Sequence, residues 1–281
     1  VKDYGAPGPF SDAKMFSSVG PSGEYTLFRA DASLGRDGFL HPIVVWGGGY
    51  TTTPDEYQAT LTLIASHGFV IVACNDAQAT SDCLSSGLDW LTAENSFPGA
   101  MRGKLDVSRA LALGHSYGAG AVLAIADRMN IKAVASLQGI VVTSNNGSGN
   151  PKGNGNGSPN TDIWAMQHAP LLLLAASGDA LATPASVQSN FQASQVQTFF
   201  STLNDSSAGQ LYAIDESAPR CSASSTSMFG TCETAELQHA PVIAWFRLWA
   251  CDDAAARRYF YGDDCALCTA PWTNPLRKHW K

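Results

Sequence analysis

The 281-residue sequence predicts an α/β chain with a mostly parallel central sheet and helices on both faces. Two observations carry that expectation. Short apolar runs recur at 43–46, 69–73, 110–113 and 171–176, without the alternation expected of a strand wetted on one side. Segments of helix length fall between them, as parallel neighbours require and hairpins do not.

Tyr25–Arg29, with its β-branched and aromatic residues, predicts an antiparallel edge strand ahead of the parallel set. Ile43–Trp46 is the first buried strand, and residues 56–67 form a helix before the strand Phe69–Ala73. A helix over 84–91 leads to the strand Ala110–Leu113. Small residues dominate the next helix, Ala119–Arg128, which is followed by the strand Ala133–Ala135. Pro170 interrupts the apolar run around Leu171–Ala176, which makes that run a buried strand. A helix over 187–200, a strand Gln210–Ile214 and a last helix Val242–Trp249 complete the alternation. Residues 144–160 are almost entirely Asn, Gly, Ser and Pro, too poor in apolar surface to order well, and predict a flexible surface loop. The whole, 1–281, is expected to be one domain.

Composition narrows the function. A net charge of -7 offers no footprint for a phosphate backbone, so nucleic acid is not an expected partner. No apolar run approaches the roughly 20 residues of a membrane span. The seven Cys favour an exported chain, and the start at Val-Lys-Asp-Tyr is what a processed export would show. Cys74 with Cys83, and Cys221 with Cys232, bracket short loops and predict local disulfides. Cys265 with Cys268 is the next expected pair, which leaves Cys251 free. Cys265-Ala-Leu-Cys268 could also be half of a zinc or redox site. It has no second pair and no suitably spaced His, so no metal is expected.

Gly114-His115-Ser116-Tyr117-Gly118 lies between an apolar strand and a small-residue helix. That context identifies a nucleophile elbow, in which a strained turn presents Ser116 above the sheet and glycines allow the close packing. A carboxylate to orient a general base should follow a later strand. Asp179, just past Leu171–Ala176, takes that place ahead of Asp76 and Asp127. The backbone N–H of Tyr117 is one expected oxyanion donor. Gly47-Gly48-Gly49-Tyr50, after Trp46, permits the close approach of a second, from Tyr50. The glycine run lacks the Lys-Ser/Thr of a P-loop and the spacing of a dinucleotide site.

With these residues placed, the chain resembles bacterial cutinases and related polyester hydrolases, including poly(ethylene terephthalate) hydrolases, extracellular lipases and polyhydroxyalkanoate-depolymerase-like enzymes. The resemblance rests on His41–Gly47, Ala65–Ile71, Gly103–Arg109, the elbow, Leu172–Asp179 and Ala244–Arg247. It implies an α/β-hydrolase fold without a large lid, no cofactor, and secretion. It also implies an ester or polyester substrate, with Ser116 as nucleophile, Asp179 as acid, and Tyr50 and Tyr117 as oxyanion donors, and the chain is expected to act as a monomer. His115 and Trp46 would line the cleft.

One expected residue is missing. The resemblance places the base His in a turn after the strand Leu211–Ile214, where this chain has Asp215-Glu-Ser-Ala218-Pro. A methyl group at Ala218 accepts no proton. Three explanations stand: an engineered His-to-Ala change, a natural relative that binds ligand without turnover, or a substitute base at His239.

Overall fold

The computed structural model of the chain describes residues 3–139, 163–204 and 232–280. A nine-stranded sheet runs in the order β1-β2-β4-β3-β5-β6-β7-β8-β9. The strands are β1 Lys14–Val19, β2 Tyr25–Arg29, β3 His41–Gly47, β4 Val70–Cys74, β5 Leu105–His115, β6 Ile131–Leu137, β7 Leu171–Ala176, β8 Thr198–Leu203 and β9 Trp272–Lys278. β4, β3, β5, β6, β7 and β8 are parallel, with antiparallel β1 and β2 at one side and antiparallel β9 at the other. The helices are α1 Gln58–Ser66, α2 Ser81–Glu94, α3 Tyr117–Ala124, α4 Ile163–Met166, α5 Pro184–Ala193 and α6 Cys232–Ala250. This is the α/β-hydrolase fold.

The apolar runs are buried on both faces, which explains their lack of alternation. Val44, Trp46, Leu111, Leu113, Leu172 and Leu174 pack under α1 and α6. Ile43, Val45, Ala110, Ala112, Leu171 and Leu173 pack under α2, α3 and α5. α1 therefore leaves β3 for one face, while α3 leaves β5 for the other. A crevice opens between two neighbouring strands whose connections diverge in this way, at their C-terminal ends, and ligands bind in such crevices.

Several elements differ from expectation. β2 is not an edge, because β1 pairs outside it, with Met15 opposite Phe28. The helix expected over 187–200 ends at Ala193, and Thr198–Leu203 is a strand. Its β-branched and aromatic residues, every one buried, suit a pleated position between β7 and β9 better than a helix. β9 was not expected, because Asn274 and Pro275 disguise it. Pro is tolerated there because β9 is the last strand of the sheet. α3 stops at Ala124, short of Arg128, and α6 begins ten residues before Val242. The expected strand Gln210–Ile214 and the loop 144–160 lie outside the described residues.

Cys74 at the end of β4 is bridged to Cys83 in the first turn of α2, and Cys265 is bridged to Cys268. Cys251 is free. The expected Cys221–Cys232 pair rests on Cys221, which lies outside the described residues. Among those residues, no helix is long and apolar enough to cross a membrane.

Candidate active site

β5 runs to His115 and turns at once into α3. Ser116 sits in the turn at φ 53° and ψ -115°, a left-handed conformation that an L residue holds only where its surroundings enforce it. The surroundings here are backbone. A Cβ on Gly114 would collide with the Gly118 carbonyl, and one on Gly118 would collide with the Gly47 carbonyl. Glycine at both positions lets β3, β5 and α3 close on one another. Ser116 N–H donates to Leu137 O at 3.0 Å, and Gly118 N–H donates to Gly48 O at 3.0 Å. Among the described residues, the Ser116 hydroxyl has no hydrogen-bond partner.

The loop after β3 is held from behind. Gly49 N–H donates to the Tyr57 hydroxyl at 3.1 Å. The Thr52 hydroxyl donates to Gly49 O at 2.7 Å. The Tyr57 oxygen also lies 3.2 Å from Thr52 Oγ1 and 3.0 Å from His115 Nδ1. With Gly49 N–H engaged, the next amide, Tyr50, is left for the crevice. Neither the Tyr50 nor the Tyr117 amide has a partner among the described residues. The two rings meet edge to face at 5.9 Å, with Tyr50 exposed. Burial, then Asp76 and Tyr50, pushes the Tyr117 phenol up, so it stays neutral.

His115 and Trp46 do not line a cleft. Both are fully buried, each packed edge to face against Tyr57. The alternation along β3 and β5 turns both rings inward, so they support the loop from inside. Tyr57 and Thr52 belong to no recognisable motif, and their role shows only once α1 is packed.

Asp179 lies three residues past the end of β7, two strands from Ser116 by way of β6. Two interstrand steps of about 4.8 Å put the strand ends about 10 Å apart. The Asp179 carboxylate is buried. One oxygen accepts from Leu181 N–H and Ala182 N–H, each at 2.8 Å, while the other has no partner among the described residues. Burial raises its pKa, and the two backbone hydrogen bonds oppose that rise. Between the two strand ends, Gln138 holds φ 47°. Its N–H donates to Leu174 O, and its side-chain amide donates to Gln238 Oε1 on α6. Asp76 lies two residues past β4, on the far side of the elbow, and is exposed, and Asp127 follows α3 away from the crevice.

All six histidines of the chain fall within the described residues. His41 starts β3, His67 precedes β4, His168 precedes β7, and His279 follows β9 beside the start of β8. Those four stand at the opposite edge of the sheet from Ser116. His115 is the one described above. His239 is buried on α6, with Nε2 2.7 Å from the Thr60 hydroxyl of α1. Position 218 lies outside the described residues. No cluster of metal-ligating side chains occurs among the described residues.

Part of the chain is similar to known cutinases. The chain is 31% identical over 137 residues to cutinase est1 of Thermobifida alba, covering 41% of this chain and 45% of that enzyme. Over this stretch the chain is similar to cutinases. Cutinase 2 of Thermobifida cellulosilytica is also 31% identical over 137 residues, with 51% of its length covered, and a Thermobifida fusca cutinase is 31% identical with 42% covered. The chain spans about half the length of the curated relatives it matches, and no family model matches it.

Proposed function

We propose that the chain is a serine-dependent carboxylic ester hydrolase scaffold for acyl esters or polyesters, exported and monomeric, that lacks its general base. The observation that carries this reading is Ser116, held left-handed at a strand–helix turn, with the Tyr50 and Tyr117 amides unengaged among the described residues. In a complete site the Ser116 oxygen attacks the ester carbonyl, and its proton passes to an imidazole. The two amides stabilise the oxyanion, a term worth about 3–4 kcal/mol per donor in comparable enzymes. Asp179 orients the imidazole with its unpartnered oxygen, and the same imidazole returns the proton to the leaving alcohol. No step requires a cofactor or a metal.

The base belongs at position 218, which is Ala. That the other histidines stand at the far edge or are engaged with Tyr57 and Thr60 supports the reading that the chain turns over slowly. The same observation favours a second reading, a relative that binds an ester or polymer ligand without turnover. Ala218→His separates the two. Loss of a triad base costs on the order of a millionfold. The variant should therefore gain several orders of magnitude in p-nitrophenyl ester hydrolysis. A folded variant at background rate would leave the binding reading standing, and fast turnover by the parent chain that His239→Ala abolishes would make His239 the base.

A further inference from the structure

We propose that the Cys265–Cys268 bridge is a thiol–disulfide exchange site that Arg277 prepares for opening by a small external thiol such as glutathione. Arg277, on β9, places Nη2 2.8 Å from Cys268 Sγ and 3.2 Å from Cys265 Sγ. The guanidinium is not free to move away. Its Nε donates to Phe260 O at 2.6 Å, and it lies over the Phe199 ring at 5.5 Å and the Tyr261 ring at 6.0 Å. A fixed cation beside a sulfur favours the thiolate over the thiol. A disulfide whose released thiolate is stabilised in this way is a better oxidant, because the reduced form gains and the leaving sulfur departs more readily.

Accessibility sets the direction of attack. Cys265 is buried, 1% exposed, whereas Cys268 is partly exposed. The incoming thiolate, its proton released to solvent, bonds to Cys268 Sγ. The Sγ–Sγ bond breaks, and its electron pair stays on Cys265 Sγ beside Arg277. A second thiolate then attacks the external sulfur of the mixed disulfide. Two thiols thus become one external disulfide, and the protein keeps both cysteines reduced. The turn itself survives, because buried Leu267 anchors it, with its carbonyl accepting from the Ser201 hydroxyl at 3.1 Å. Cys268 N–H also donates to Cys265 O at 3.0 Å.

The Cys74–Cys83 bridge is an internal control. It joins β4 to α2 and has no guanidinium contact among the described residues. The test equilibrates the full chain in graded glutathione buffers, traps free thiols by alkylation, and reads each cysteine peptide by mass spectrometry, which also separates Cys251. Cys265–Cys268 should open at a ratio at least tenfold less reducing than Cys74–Cys83, a difference of about 30 mV for a two-electron couple. Arg277→Gln should move its midpoint at least tenfold toward Cys74–Cys83. Opening of both bridges together, or an unmoved midpoint in a folded Arg277→Gln, would overturn the proposal. If that variant does not fold, the rate at which iodoacetamide alkylates the reduced parent against pH decides. An apparent pKa clearly below the ordinary thiol value of about 8.5 is expected for the pair, and an ordinary value would overturn the assignment.

Discussion

At the ends of β3 and β5 the loop backbone is pinned at three points: Gly48 O by Gly118 N–H, Gly49 N–H by Tyr57, and Gly49 O by Thr52. At the end of β7 one carboxylate is held through a single oxygen by two amides, while its other oxygen is buried with no partner among the described residues. In the proposed mechanism the first region handles developing charge, and the second must handle a proton. Oxyanion donors are backbone groups, so packing alone preorganises them, and the glycines and Tyr57 suffice. Proton transfer needs a side chain of the right pKa at one position. Losing it leaves the rest of the site standing. A buried carboxylate oxygen without a partner is costly, and in the proposed mechanism an imidazole N–H would donate to it.

The largest effects should separate the two regions in the Ala218→His background. Ser116→Ala there should return ester turnover to background, a loss on the order of a millionfold. Asp179→Asn should cost on the order of ten-thousandfold in kcat while the protein stays folded, because the amide favours the wrong imidazole tautomer. Steady-state assays on a p-nitrophenyl ester check both, and an Asp179→Asn loss below tenfold would remove Asp179 from the acid role.

Tyr57→Phe tests the pinned side. It removes the hydroxyl that accepts from Gly49 N–H and that contacts His115 Nδ1 while keeping the ring that packs on Trp46. A small displacement of the Tyr50 amide should lower kcat by on the order of tenfold with little change in KM, as expected for a donor aimed at the transition state. Equal changes in both constants would mean that the loop shapes substrate binding instead.

How much of this was legible in the sequence follows the same division. The elbow, its glycines and the Tyr50 loop form contiguous motifs, and buried parallel strands announce themselves as unbroken apolar runs. β7 matches its expected bounds for that reason. The supports were not legible. Tyr57 reaches Gly49 across a turn, and Gln138 meets Gln238 across a hundred residues, contacts that exist only after α1 and α6 have packed. The resemblance puts His115 in the cleft and the aromatic complement suggests it for Trp46, but the pleat turns both rings inward. Thr198–Phe200, the end of the helix expected over 187–200, has a Gln- and Ser-rich approach without β signal, and the burial of Thr198–Leu203 comes from β7 and β9.

The smallest expected effect is on stability, and its pH dependence is more informative than its size. The Asp179 pKa is raised in the folded state by burial, with the two amides only partly offsetting this. The native protein therefore binds this proton more tightly than the unfolded chain. Between the ordinary carboxylate value and the raised one, the folded state carries more protons, so stability falls as pH rises through that window. Above it the full cost of a buried charge is present, and below the ordinary value it is gone. Asp179→Asn in the parent chain should accordingly be more resistant to urea than the parent at pH 7 to 8. The advantage should shrink as pH drops below the ordinary carboxylate range. A constant difference across pH would reflect hydrogen bonding by the new amide alone and would contradict the raised pKa. Ala218→His sharpens the comparison. An imidazole N–H donated to the bare oxygen, cationic at mildly acidic pH, should lower the Asp179 pKa and erase or reverse the pH slope. The slope would stay unchanged if position 218 does not face Asp179, and the proton-handling half of the site would then have to be sought elsewhere.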